Sequence, residues 1–196
     1  MTSMFEAPSF RKSSAAPVAA AILAVLTAAP MSSCFADETD CKPLFEAMNR
    51  LFNTPSHQFL TQTNSLTGDK VVASEIINAG GALYIKVDGK WHNSEVTSAQ
   101  LQQQEEQNRK NAKLTSCRLE HEEALDGVKV TLFSAHTETN YGASDEQMWI
   151  AKSNGLPVRE TIEMNMGDNA GKSHAEIRVV YSGVQAPVVT PTAPTK

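Results

Sequence analysis

After residue 30 the chain has no long hydrophobic run. A membrane-spanning helix needs about 20 apolar residues, so no transmembrane segment is expected in the rest. Basic charge is also in short supply: 17 Lys and Arg stand against 22 Asp and Glu, for a net charge of −5 and no basic cluster. That balance argues against nucleic acid and anionic lipid surfaces as partners. Catalytic signatures are missing too. There is no Gly-x-Ser-x-Gly elbow, no phosphate loop and no Cys-x-x-Cys. His121-Glu122-Glu123 begins like a zinc-binding helix, but Leu125 occupies the place of the second histidine. The other histidines, His57, His92, His136 and His174, stand singly, and lone strand histidines are more often hydrogen-bonded surface groups than metal ligands. Glu120, Glu122 and Glu123 read as a solvated strand edge that discourages edge pairing. No enzyme, metal site or cofactor is expected.

Cysteine is rare as well, with Cys34, Cys41 and Cys117 alone. The first 36 residues have the pattern of a secretory signal peptide: Arg11 and Lys12, then the uncharged small and apolar run Ala15 to Pro30, then "MSSCFADET". Cleavage after Ala36 fits the small-residue rule. The alternative treats "MSSC" as a bacterial lipobox with a lipid-modified Cys34, although Met31 is an unusual residue there. Either way Cys34 is removed or modified, and Cys41 and Cys117 are left as a pair in an oxidising compartment, expected to form a disulfide. The expected location is periplasmic. At the other end, residues 187–196 are rich in Pro and Thr and build no regular structure. A single domain over residues 37–186 lies between.

Within that domain, Leu44, Phe45, Met48, Leu51 and Phe52 form an apolar stripe at helical spacing, with Asp40 as a candidate cap and Pro55 as the stop. Strand-like segments follow, punctuated by Thr67-Gly68-Asp69 and Asp88-Gly89. The two-residue Asp-Gly loop is a strong hairpin signal because both positions take positive φ. Residues 97–112, "TSAQLQQQEEQNRKNA", predict a second helix opened by a Thr97/Gln100 capping box. Leu101 is nearly its sole large apolar residue, so it reads as a surface connector or a mobile cover. Five more strands close the domain, with hairpins at Asp126-Gly127 and at Ser153-Asn154-Gly155. Alternation places Val158, Ile162, Met164 and Met166 on one face, with Glu160 among them.

The order helix, four strands, helix, five strands gives an α+β fold. A sheet of about nine antiparallel strands curls because strands twist, so an open or half barrel with both helices covering its concave face is expected. Met148, Ile150, Val158, Ile162, Met164 and Met166 are the candidate apolar lining of a ligand site, soft side chains suiting an adaptable apolar ligand. Core packing accounts for the methionines equally well. The disulfide is expected to clamp the first helix to a central strand.

The segment "MWIAKSNGLPVRETIEM" resembles the late hairpin of the LolA-like superfamily, in which a Trp-Ile strand runs through Gly-Leu-Pro to a strand with a basic residue. The order of elements from about Cys41 to Tyr181 is similar too. The superfamily includes periplasmic lipoprotein carriers and mycobacterial lipid-binding lipoproteins. The segments "ALYIKVDGKW" and "GKSHAEIR" look closer still to proteobacterial periplasmic members without an assigned role. The resemblance implies a non-enzymatic binding protein for a lipid or an acylated partner. The alternative is a module with a side-chain-filled core that docks on an envelope protein. Intact-mass measurement of the mature protein should show a chain beginning at Asp37; an acylated Cys34 would replace that reading with the lipid anchor.

Overall fold

The structure, a computed structural model, describes residues 41–65, 71–111, 113–139, 142–165 and 171–189. The candidate signal peptide, the candidate cap Asp40, the Thr67-Gly68-Asp69 turn expected from the sequence, Met166 and the last residues of the tail lie outside them. Two helices, α1 (Lys42–Asn53) and α2 (Ser98–Asn111), accompany nine strands. These are β1 (Ser56–Asn64), β2 (Val72–Ala79), β3 (Ala82–Val87), β4 (Lys90–Asn93), β5 (Lys113–Leu125), β6 (Val128–Thr139), β7 (Gly142–Ala151), β8 (Pro157–Asn165) and β9 (Lys172–Val180). They form one open antiparallel sheet in the order β4-β3-β2-β1-β9-β8-β7-β6-β5. Among the described residues no helix is long and apolar enough to cross a membrane.

Local chemistry sets the turns. Asp88 and Gly89 adopt φ of 48° and 75°, and Asp126 and Gly127 adopt 50° and 81°. These left-handed pairs match the right-handed twist of the flanking strands. At the head of α2, the Thr97 N–H donates to Gln100 Oε1 at 2.8 Å and the Gln100 N–H donates to Thr97 Oγ1 at 3.2 Å, a reciprocal capping box.

Helix α1 buries Leu44, Ala47 and Leu51. It lies on β6 and β7, where Leu44, Ala47, Cys41 and Cys117 cluster with Phe133, Ala135, Met148 and Ile150, flanked by Phe45 and Met48. Full burial of one leucine contributes about 1.5–3 kcal/mol. Two polar contacts fix the end of the helix. Buried Asn78 donates to the carbonyls of Phe52 and Thr54 at 3.0 and 3.2 Å, satisfying acceptors that a helix terminus leaves open. Arg50 donates to Asn154 O at 3.3 Å, and its side chain lies against Gly155. The φ of 68° at Gly155 favours glycine, and a Cβ there would meet the arginine at 3.4 Å.

Two sequence expectations are corrected. Cys117 does bond to Cys41, with Cα atoms 5.4 Å apart, but β5 is an edge strand and not a central one. Strand β1 pairs with β9, which pushes the run β5–β8 outward and leaves β5 last. Val158 does not share a face with Ile162 and Met164. The β7–β8 register shifts between Trp149 and Ile150, which pair with Arg159 and Pro157. Such a bulge sets two residues against one, and Val158 turns to the opposite face, packing with Val130, Leu132 and Trp149.

The disulfide therefore holds an edge strand to the core-forming helix across a separation of 76 residues. Replacing either cysteine with serine should lower stability by about 2–4 kcal/mol, read by urea denaturation. A titration of denatured, unreduced protein should find neither thiol free; two free thiols would show the bridge absent.

Candidate functional site

Both faces of the sheet carry polar features that composition does not display. The face away from α1 holds a trough of about 600 Å³ over β5–β9. Register places His136, Asp145, Glu163 and His174 in one row across β6, β7, β8 and β9. Each histidine engages its neighbour: His136 Nδ1 lies 2.6 Å from Asp145, and His174 Nδ1 lies 2.5 Å from Glu163. At the β5 edge of the trough, Arg118 Nε and Ser134 Oγ donate to Glu120 at 2.7 and 2.5 Å. Those bonds, Ser134 first, hold the Glu120 carboxyl below the usual range. Arg159 lies over the Trp149 ring at 5.1 Å and pairs with Glu176 at 2.9 Å. Nearly every charge here has a partner, so the trough is a network of matched pairs. Among the described residues no group of three or more His, Cys, Asp or Glu is arranged to hold a metal ion. Glu122 accepts from Lys152 at 2.6 Å and Glu123 accepts from the Trp149 indole N–H at 2.6 Å, so these acids clasp the edge strand to its neighbours.

The helix-covered face is different. Met148 is fully buried and Ile150 is 8 % exposed, both in the cluster beneath α1. Ile162 and Met164 sit farther along β8, half-buried. Cross-strand register carries apolar residues across the face: Ile162 faces Ala175, Glu160 faces Ile177, Ile177 faces Leu60, and Ile76 faces Ile85, while between β1 and β2 Leu60 faces Ser74 and Gln58 faces Ile76, so Leu60 and Ile76 meet diagonally. Ile162, Ile177, Leu60, Ile76 and Ile85 are all half-buried. They form a strip that the contacts of α1 with β7 and β8 do not seal.

At the border between the sealed core and this strip lie two acids. Glu146 pairs across strands with Ile162, and Glu160 pairs with Met148, so the acids are diagonal neighbours on one face. Glu160 is 8 % exposed, and the two carboxyls hydrogen-bond to each other. Burial raises Glu146 to about 7, the bond to Glu160 working against the rise and the charge of Glu105 on α2 adding to it. Glu160 is pushed well above the ordinary carboxyl range by burial and by its partner. The arrangement has Glu160 donating its proton to Glu146. The sequence signal for Glu160 was its place among Val158, Ile162 and Met164. For Glu146 it was available but unread: the alternation Glu146, Met148, Ile150 puts that acid on the same face.

Helix α2 rests on α1. Asn53 donates to Gln102 Oε1 at 3.3 Å, Gln102 donates to Asn49 Oδ1 at 3.5 Å, and Arg109 lies over the Phe45 ring at 4.3 Å. The space between the helices, lined in part by Met48 and Glu105, is about 30 Å³.

No family model matches the sequence, and no curated protein matches it. Solved structures do. The Mycobacterium tuberculosis lipoprotein LppX is 15% identical, with 76% of this chain and 99% of that one covered at a TM-score of 0.46. LprF from Mycobacterium bovis is 13% identical, with 80% and 97% covered at 0.43. A LolA superfamily protein from Nitrosomonas europaea is 8% identical, with 73% and 90% covered at 0.26. The chain is structurally similar to proteins of the LolA-like, LppX and LprF fold.

The acid pair makes stability depend on pH. Unfolded glutamates titrate near 4.5, whereas Glu146 keeps its proton to about 7 and Glu160 keeps its own beyond the ordinary range. Between those values the folded state binds more protons, so stability should fall as pH rises from about 4.5 through 7, by on the order of 1–3 kcal/mol. Glu160→Gln preserves a neutral side chain with a donor and should flatten the decline. Urea midpoints across the window decide the matter; an unchanged slope in the variant would rule the pair out as the cause.

Proposed function

We propose that the protein is a non-enzymatic binding protein of the bacterial envelope, acting in the periplasm, and that its helix-covered sheet face receives the apolar part of a lipid or acylated partner. The half-buried strip of Ile162, Ile177, Leu60, Ile76 and Ile85 is the observation that carries this reading. Met164 extends it along β8. Met148 and Ile150 form its floor at the α1 side, where they are packed by the helix. Binding sites for small molecules are mostly apolar with a few placed polar groups, and the Glu146–Glu160 pair supplies such a group at the border of the strip. The Cys41–Cys117 bridge supports an oxidising compartment. The LolA-like fold is in keeping with carriage of a lipid chain.

A second reading is favoured by a specific observation. The space between the helices is about 30 Å³, and the cluster beneath α1 is filled by the chain's own side chains. On this reading the protein docks on an envelope protein, and α2, polar and exposed, supplies the contact.

Native mass spectrometry of protein purified from its own periplasm separates the two. The first reading expects adduct masses in the lipid range and uptake of a fluorescent fatty acid. A ligand-free mass with no uptake overturns it. The second expects in-cell crosslinking to capture one discrete partner, with capture lost when residues 97–112 are deleted.

A further inference from the structure

The sheet face away from α1 carries one imbalance that its ion pairs do not absorb. Register sets Trp149 opposite Arg159, Arg159 opposite Arg178, and Arg178 opposite Phe59, in one row across β7, β8, β9 and β1. Residues directly opposite on an antiparallel ladder share a face, and like charges placed so repel. Two arginines therefore stand side by side where an acid facing one of them would be more stable. Arg159 pairs with Glu176 at 2.9 Å. Its Nε is buried and has no hydrogen-bond partner, although buried polar atoms are nearly always partnered. Arg178 is exposed and lies over the Phe59 ring at 5.3 Å; among the described residues it makes no ion pair.

The acids around the arginines are already engaged. Glu176, two residues before Arg178 on the same face, is held by Arg159. Glu75, opposite Phe59, is held by Lys86 at 2.7 Å and by His57 at 3.0 Å. One acid thus serves two guanidiniums, and a positive charge is left open on a chain of net charge −5. Cover for the Trp149 and Phe59 rings accounts for the stems of these side chains but not for the open head groups. Beside the arginines the chemistry changes. In the next row Gln147 faces Thr161, and Thr161 faces Glu176. Gln147 and Thr161 line the trough with Arg159, and among the described residues their side chains have no hydrogen-bond partner. An amide and a hydroxyl supply both donors and acceptors, the complement of the hydroxyl groups of a sugar. One row farther on lie the acids Asp145 and Glu163, so the anionic end of any ligand belongs at the arginines and not there.

We propose that Arg159 and Arg178 form an anion site at the Trp149 end of the trough, and that its ligand is a soluble saccharide bearing a phosphate or carboxylate group. The oxyanion lies between the two guanidiniums, whose planar forks of donors match such groups. It supplies the negative charge that the β8–β9 ladder lacks at this point. Each guanidinium rests on an aromatic ring, so little side-chain freedom is lost when the ligand binds. The sugar hydroxyls lie over Thr161 and Gln147. The trough, about 600 Å³, falls within the range of small-molecule sites, about 300–1,000 Å³. The site is on the opposite face from the apolar strip and does not rest on the reading of that strip.

Titration calorimetry of the purified protein with glucose 6-phosphate, glucuronic acid, glucose and inorganic phosphate tests the site. At least one of the two anionic sugars should bind at least about tenfold more tightly than glucose and than inorganic phosphate; the tighter of the two names the anion. That binding should weaken between about 20 and about 200 mM salt, because exposed charges are screened. Arg178→Gln, at an exposed position, should leave the urea midpoint unchanged and lower the affinity at least about tenfold. Gln147→Ala, also exposed, should weaken the anionic sugar and leave inorganic phosphate as it was. Neither anionic sugar binding above glucose, or an Arg178→Gln variant that binds as the wild type does, overturns the anion site. Inorganic phosphate binding as tightly as the anionic sugars overturns the saccharide. Binding to phosphatidylglycerol vesicles alone, with no soluble sugar taken up, overturns the soluble ligand in favour of a lipid headgroup.

Discussion

The helix side of the sheet depends on one contact, the packing of Leu44 and Ala47 against Phe133, Met148 and Ile150. An open nine-stranded sheet exposes more apolar surface than a single twelve-residue helix can cover. Where α1 lies, the sheet is sealed. Beyond it, on β8, β9 and β1–β3, Ile162, Ile177, Leu60, Ile76 and Ile85 stay half-buried, while Ala175, Val179 and Leu83 on the same strands are buried. The position of α1 is itself over-determined: the disulfide holds its start, Asn78 satisfies its last carbonyls, and Arg50 reaches the β7–β8 turn. These three ties radiate to β5, β2 and the β7–β8 turn, so one helix sets the geometry of both halves of the sheet.

Against that fixed element, α2 is conspicuous for what it does not bury. A helix with a capping box and high intrinsic propensity can form without an apolar face, and α2 uses that freedom to rest on α1 through amides and one stacked guanidinium. Two acids, Glu146 and Glu160, lie at the border of the core that α1 seals, beside Met148 and Ile162. Buried polar groups of this kind lower stability unless partnered. Their partner here is each other, an arrangement that holds only while at least one proton remains.

Much of the fold was legible because its signals are local. The Asp-Gly loops, the Thr97/Gln100 box and the stripe of α1 each depend on a few adjacent residues, and each formed as read. What failed to show was non-local. Nothing in β1 or β9 announces that they pair, and that pairing alone decides that Cys117 sits on an edge. Val158 obeys alternation on paper, but the bulge at Val158 itself, where Trp149 pairs with Arg159 and Ile150 with Pro157, turns it over. The candidate lining residues were found by alternation, and Met148 and Ile150 proved to be packed beneath α1, because period two identifies a face without saying what lies on it. Glu146 was overlooked for a related reason: a charged residue between exposed Asp145 and Gln147 reads as surface until its cross-strand neighbours are known.

The strand order has a further consequence for the connectivity of the chain. Strands β1 to β4 make up one half of the sheet and β5 to β9 the other, and the halves meet along the β1–β9 ladder. The segment holding α2 runs from one outer edge, β4, to the other, β5, and is the sole stretch of backbone joining the halves. Were that segment cut, each half would keep its own hairpins, and the ladder between them would still be paired. The bond from Cys41 to Cys117 links the same two halves, so the severed pieces would remain a single covalent molecule until reduced.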